Sequence, residues 1–249
     1  MNTTNDHMKT HDKPAAPPAS DEFLSLLVAS PQVDHCFDAL MGSLYQLSGA
    51  RPLKTLLVTS TQPEEGKTTV VLSLALKMAL AGKATLIIDA DCRKPRVHRI
   101  LSLENENGLS TTTAGRVGPL EYIQRVDLPQ AGTHLDVMTS GKGPATLFSG
   151  DGRHKLQAVI EEVKRTYEMV LIDSPPVLAV SDAMFLAPLV DGVILVLNTG
   201  TVSERDTKLA KSRLEEAGGH IFGAVMNCFD ESLHGAGFNP YHRYYAGKK

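Results

Sequence analysis

Apolar residues in this chain gather in short, mostly unbroken runs. Leu56-Leu57-Val58 is one, and residues 85–88, 135–138, 169–172, 193–197 and 222–226 are others. Such runs, unlike strict alternation, mark strands covered on both faces. Between them apolar positions recur at helical spacing. The spacing predicts helices over 23–29, 33–47 and 67–81, the last stopped by Gly82. Strand–helix alternation over about 180 residues predicts one α/β domain in three layers, a mainly parallel sheet flanked by helices. No internal repeat interrupts it.

Composition narrows the class. Of 249 residues, 42% are hydrophobic and 21% charged, as in ordinary globular proteins. A formal net charge of -3, with no basic run, excludes a dominant nucleic-acid surface. Cys36, Cys92 and Cys228 lie far apart without metal-ligand spacing. They read as reduced packing residues of a cytosolic protein. Residues 1–20 are polar and hold Pro14, Pro17 and Pro18, which predicts a disordered leader and no signal peptide. The apolar runs fall short of the roughly 20 residues that cross a bilayer, so the chain is expected not to span a membrane. The expected organisation is a leader (1–20), one domain (21–231) and a flexible tail (232–249).

Chemistry enters at Ser60-Thr61-Gln62-Pro63-Glu64-Glu65-Gly66-Lys67-Thr68-Thr69, between the first strand and a helix. A phosphate cradle needs converging backbone N–H groups at a helix N-terminus, a lysine for the β/γ charge and a hydroxyl for Mg²⁺. Gly66 permits close backbone approach, Lys67 supplies the charge and Thr68 the hydroxyl, so the fold class becomes a three-layer P-loop NTPase. Glu65, Gly66, Lys67, Thr68 and Thr69 are the candidate phosphate-binding residues. The generic pattern places glycine where this chain has Thr61, so the loop is a variant form. Glu64 and Glu65 suit a phosphate site only if their carboxylates face away from it.

Two further strand ends are acidic. In Ile88-Asp89-Ala90-Asp91-Cys92-Arg93, Asp89 and Asp91 are spaced by two in an extended segment and point the same way. They are positioned to converge on one magnesium–nucleotide at the carboxyl end of the sheet. Ile172-Asp173-Ser174-Pro175-Pro176 provides a carboxylate suited to a Mg²⁺-bound water. Arg93 and Lys94 are read either as a phosphate-steering pair or as a solvated basic pair.

From about residue 54 to 227, this set resembles the bacterial tyrosine kinases that control capsule and exopolysaccharide synthesis. These are P-loop enzymes unrelated to eukaryotic protein kinases. Val180-Ser181-Asp182-Ala183 and Val190-Asp191-Gly192-Val193 add to the resemblance. It implies ATP and Mg²⁺ as cofactors, phosphate binding by Lys67 and Thr68, and Mg²⁺ held by Thr68, Asp89 and Asp173. It also implies activation of the attacking hydroxyl by Asp91. Gly223-Ala224-Val225-Met226-Asn227 resembles the segment whose asparagine meets the purine in related ATPases, which makes Asn227 a candidate for adenine recognition. Cell-division and partition ATPases share such a sheet but carry a second lysine where this chain has Gln62.

Three of the six tyrosines, Tyr241, Tyr244 and Tyr245, stand within the last nine residues, behind a Gly-, Asn- and Pro-containing spacer. Beside a phosphate-transferring centre they are candidate phosphoacceptors. A flexible spacer of roughly 10 residues covers about 17 Å, enough to reach a neighbouring subunit's site. The resemblance further implies a cytoplasmic protein held at the inner face of the membrane by an integral-membrane polysaccharide co-polymerase acting as activator. It implies as well a phosphotyrosine phosphatase that reverses the reaction, and self-association. Family members carry a glutamate and two arginines for ring assembly in the helix before the loop. The matching stretch here, His35-Cys36-Phe37-Asp38-Ala39-Leu40-Met41, keeps only the apolar Phe37 and Leu40. The alternatives are a switch ATPase that phosphorylates no protein and an ATP-binding regulatory subunit without transfer activity.

Overall fold

A computed structural model describes residues 31–49, 53–112, 118–128, 132–143, 145–148 and 152–229. The leader, the helix expected over 23–29 and the tail with Tyr241, Tyr244 and Tyr245 lie outside the described residues. Helix α1 (Pro31–Ser48) precedes β1 (Thr55–Ser60), α2 (Lys67–Leu80) and β2 (Thr85–Asp89). Two short helices follow, α3 (Val97–Ile100) and α4 (Leu109–Thr112). Next come β3 (Gln124–Leu128), β4 (Thr133–Met138), α5 (Gly152–Thr166) and β5 (Met169–Asp173). The described chain closes with α6 (Asp182–Leu186), β6 (Gly192–Asn198), α7 (Glu204–Glu216) and β7 (Ile221–Asn227).

The seven strands form one sheet in the order β3-β4-β2-β5-β1-β6-β7. All neighbours are parallel except β3 and β4. Every residue of β1, β2 and β5 is buried, as expected of unbroken apolar runs between two helical layers. The runs do not reveal β3. Its Arg125 and Asp127 face solvent while Val126 and Leu128 are buried, the alternation of an antiparallel edge strand. The other edge, β7, reads as apolar as a central strand, yet Gly223, Ala224 and Met226 are exposed.

One face of the sheet packs against α1 and α2. Helix α2 is buried nearly all round, through Val70, Val71, Leu72, Leu74, Ala75 and Met78, because the sheet lies on one side and α1 on the other. In α1, Leu44 is buried and Phe37, Leu40 and Met41 pack beside it, so core packing accounts for the apolar positions of that helix. Lys77 of α2 bonds Asp34 at 2.6 Å and Asp38 at 2.9 Å, fixing the two helices together. The opposite face is covered by α5, α6 and α7 through Leu156, Val159, Ile160, Leu186, Ala210 and Leu214.

At the amino-terminal end of the strands, Asp191 fastens three elements. Its Oδ2 accepts from Lys54 N, Thr55 N and Thr55 Oγ1 at 2.8–2.9 Å, and its Oδ1 accepts from Lys164 Nζ at 3.1 Å. That end of the sheet lies opposite the loops that carry chemistry. At the carboxyl ends, β2, β5 and β1 are consecutive, so the loops after them adjoin. Among the described residues no helix is long and apolar enough to cross a membrane.

Candidate nucleotide site

The loop between β1 and α2 is closed by its own side chains. The Glu65 carboxylate, in a residue 1% exposed, accepts from Thr61 N at 2.6 Å, Gln62 N at 2.8 Å and Thr61 Oγ1 at 2.8 Å. The Glu65 carboxylate is thus spent on the loop's own amides. Glu65 folds into the loop because two amides and a hydroxyl replace the water it gives up. Thr61 is thereby explained, since glycine there would provide no hydroxyl. Only Glu64 faces out, its side chain 81% exposed and 3.8 Å from Arg96. Glu64 also has φ 67, a left-handed conformation that costs a non-glycine residue about 1–3 kcal/mol.

Gly66 has φ 88, and a Cβ placed there would lie 2.0 Å from Asn227 Nδ2. That amide donates to Glu65 O at 3.0 Å, so the last residue of β7 rests on the loop. Helix α2 opens directly after Gly66 and directs its first amides at the cradle. Lys67 Nζ lies 3.7 Å from Asp91 Oδ2. Thr68 Oγ1 donates to Asp173 Oδ2 at 2.7 Å, and Asp173 Oδ1 is buried without a partner. Thr69 is exposed on the same helical turn.

Behind Lys67 the aspartates are held by backbone. Asp89 Oδ1 accepts from Asp91 N at 3.1 Å and its Oδ2 from Val97 N at 3.2 Å. Asp91 Oδ1 accepts from Lys94 N at 3.0 Å. Asp89 and Asp173 are opposed across the β2–β5 ladder. Burial, followed by the charges of Asp173 and Asp91, pushes the Asp89 carboxyl well above the usual carboxylate range. Burial likewise raises Asp173 to about 6, against the lowering influence of Lys67 and the Thr68 hydroxyl. Buried carboxyls pressed on one another in this way are a place where a cation is favourable.

The donor set fits Mg²⁺. An unpartnered buried carboxylate oxygen stands beside a threonine hydroxyl at the base of a phosphate cradle, and both are hard oxygen donors. Among the described residues no group of three or more His, Cys, Asp or Glu side chains could hold a metal. Mg²⁺ characteristically takes one or two carboxylates and completes its shell with water and phosphate.

Other residues fall into place around this centre. Arg93 is exposed but not free: its Nε and Nη2 donate to the two oxygens of the buried Asp182, tying the turn after β2 to the start of α6. Cys92, between them, has its thiol pushed up to about 12 by burial and then by Asp89 and Asp182, so it stays protonated and inert. The three cysteines are free, as expected, but Cys36 and Cys228 are exposed and only Cys92 is partly buried. The lining also includes three residues whose contacts the sequence patterns did not reveal. Glu65 and Asn227 act on the loop's interior, and Arg96 reaches the loop through Glu64. A hydroxyl at Thr61 in place of glycine, four residues before Glu65, is the one sequence sign of the first.

A mainly parallel sheet with this loop at the carboxyl ends of its central strands defines a P-loop nucleotide-binding domain. The AAA domain family matches residues 54–208. Tyrosine-protein kinase YwqD of Bacillus subtilis is 37% identical over 180 residues, covering 71% of this chain and 73% of that protein. Tyrosine-protein kinase CpsD of Streptococcus agalactiae is 30% identical over 210 residues, 84% of this chain and 89% of the relative. Among solved structures, the kinase domain of the Escherichia coli tyrosine kinase ETK superposes with a TM-score of 0.72 at 31% identity. It covers 82% of this chain and 79% of its own. The chimerical protein CapA2B2 gives 0.74 at 27% identity, covering 86% and 95%. The chain belongs to the bacterial tyrosine-protein kinases.

Proposed function

We propose that the protein is an ATP- and Mg²⁺-dependent autokinase that phosphorylates Tyr241, Tyr244 and Tyr245, and through them regulates capsule or exopolysaccharide export. The observation that carries the site assignment is the Thr68–Asp173 hydrogen bond beside the unpartnered Asp173 Oδ1, at the residue next to Lys67. Magnesium, when bound, would supply positive charge that neutralises the transferring phosphoryl group. Thr68 and Asp173 would hold it, and Asp89 keeps the Asp91 turn in position beneath. Lys67 and the loop amides stabilise charge on the phosphoryl oxygens. Asp91, already 3.7 Å from Lys67 Nζ, receives the tyrosine proton as the phenolic oxygen bonds to the γ-phosphorus and the bond to the leaving ADP oxygen breaks. Asn227 recognises adenine from the rim of the loop.

Transfer between subunits, an integral-membrane activator at the inner face of the membrane and a phosphotyrosine phosphatase complete the proposal. They rest on family membership together with the position of the tyrosines. The last described residue, Phe229, lies two residues beyond Asn227, whose side chain rests on the nucleotide loop.

The test is intact-mass and tail-peptide analysis after incubation with Mg²⁺-ATP, with phosphate release followed in the same tube. Mass gain on Tyr241, Tyr244 or Tyr245 that Lys67→Met abolishes supports the autokinase. Changing all three tyrosines to Phe should remove the gain and leave nucleotide binding intact. Phosphate release without mass gain would mean a switch ATPase instead. Tail phosphorylation persisting in Lys67→Met would refute the site assignment.

A further inference from the structure

Arg96 stands just outside the set of residues assigned above. It caps α3, one residue before Val97, whose amide is anchored on Asp89, so its backbone is fixed relative to the aspartates. Its side chain is 58% exposed and reaches across to the nucleotide loop, with Nη2 3.8 Å from Glu64 Oε1. Arg96 is also close enough to Asp173 for its charge to favour that carboxylate. A second cation, after Lys67, therefore lies at the mouth of the cradle, on the side of Asp91 and Asp173.

The partner it rests on is unusual. Glu64 occupies a left-handed backbone conformation at φ 67, where glycine would be at ease. Residues held in such conformations concentrate at ligand clamps and switch regions. The pair it forms is exposed and long, and hence weak. A guanidinium makes stronger, bidentate bonds to phosphate, whose geometry its planar fork matches.

We propose that Arg96 is a ligand of the γ-phosphate: the terminal phosphate of a nucleoside triphosphate draws its guanidinium from Glu64. No bond is made or broken in this exchange, in which one anionic partner replaces another. The device lets the site distinguish triphosphate from diphosphate, because only the former has an oxygen to offer Arg96. This role deepens the nucleotide-site assignment and presupposes it.

The experiment is calorimetric binding of Mg²⁺-ADP and of Mg²⁺-adenosine-5′-(β,γ-imido)triphosphate, which cannot transfer its phosphate, to the full chain. Variants are Arg96→Ala, Arg96→Lys, Glu64→Gln and the Arg96→Ala/Glu64→Gln double. Arg96→Ala should weaken the triphosphate about tenfold and ADP by less than about twofold, a loss that Arg96→Lys restores only in part. Glu64→Gln should tighten the triphosphate alone, and only while Arg96 is present, so the two changes are non-additive. Equal weakening of both nucleotides by Arg96→Ala, or additive effects in the double variant, would overturn the γ-phosphate role while leaving the nucleotide site intact. Failure of the wild type to bind either nucleotide would overturn both.

Discussion

At the scale of single residues, the loop's chemistry depends on a carboxylate that never needs to touch a nucleotide. Glu65 satisfies Thr61 N, Gln62 N and Thr61 Oγ1 from inside the loop, and with them fixes its curvature. Glu65→Ala would leave two amides and a hydroxyl without their partner, at roughly 1–3 kcal/mol. The expected result is about tenfold weaker binding of ATP and ADP alike, measured by calorimetry. The equal loss distinguishes loop shape from the triphosphate-selective part assigned to Arg96. An unchanged affinity would mean the loop holds its form without Glu65. Thr61 in place of glycine was the one sign of this inward turn in the sequence, where a glutamate beside a phosphate loop otherwise reads only as a charge to be kept away. Burial reversed that reading by supplying hydrogen bonds that a linear motif does not display.

Elements were legible where both faces are covered. β1, β2 and β5 appear in the sequence as apolar runs because each is buried on both sides. β3 escaped because half of it faces water, and an alternating five-residue segment with Gln124, Arg125 and Asp127 has no run to find. The aspartates at strand ends were legible for the same reason as the strands they terminate. Their partition was not: which oxygen caps an amide and which is left unpartnered depends on how α2 and α3 approach. Asn227 marks the limit of local pattern, since it meets Glu65 across 162 residues of chain. Gly66→Ala tests that junction. The added Cβ would fall 2.0 Å from Asn227 Nδ2 at a backbone of φ 88, so either the loop or the end of β7 must move. Nucleotide affinity should fall at least tenfold while the far-ultraviolet circular dichroism stays that of the wild type. Wild-type affinity would show that the junction yields freely.

For the molecule as a whole, the end of the sheet remote from the nucleotide site also contributes to stability. Asp191 joins β1, β6 and α5, which lie far apart in sequence. Burial alone would raise its carboxyl, but the bonds from Lys54 N, Lys164 and Thr55 outweigh it and hold the group below the usual carboxylate range. The folded form is therefore the stronger acid. Its contribution is complete above the unfolded value of about 3.9 and is lost as pH falls through the lower folded value. Asp191→Asn should lower stability by about 1–3 kcal/mol at neutral pH. Urea melts should show the gap narrowing as the solution is acidified below pH 4 or so. A gap that stays constant down to strong acid would assign the loss to shape and not to charge.

The position of Asn227 has a consequence for how the molecule breathes. β7 pairs with β6 alone, so its amides are among those that open most readily to solvent. Yet its last side chain rests on the loop that would grip a nucleotide, two residues before the last described residue. Gripping the nucleotide should thus slow deuterium uptake along β7, on the outer margin of the sheet, as well as in the loop itself. The frayed margin would then report the state of the centre to whatever follows it in the chain.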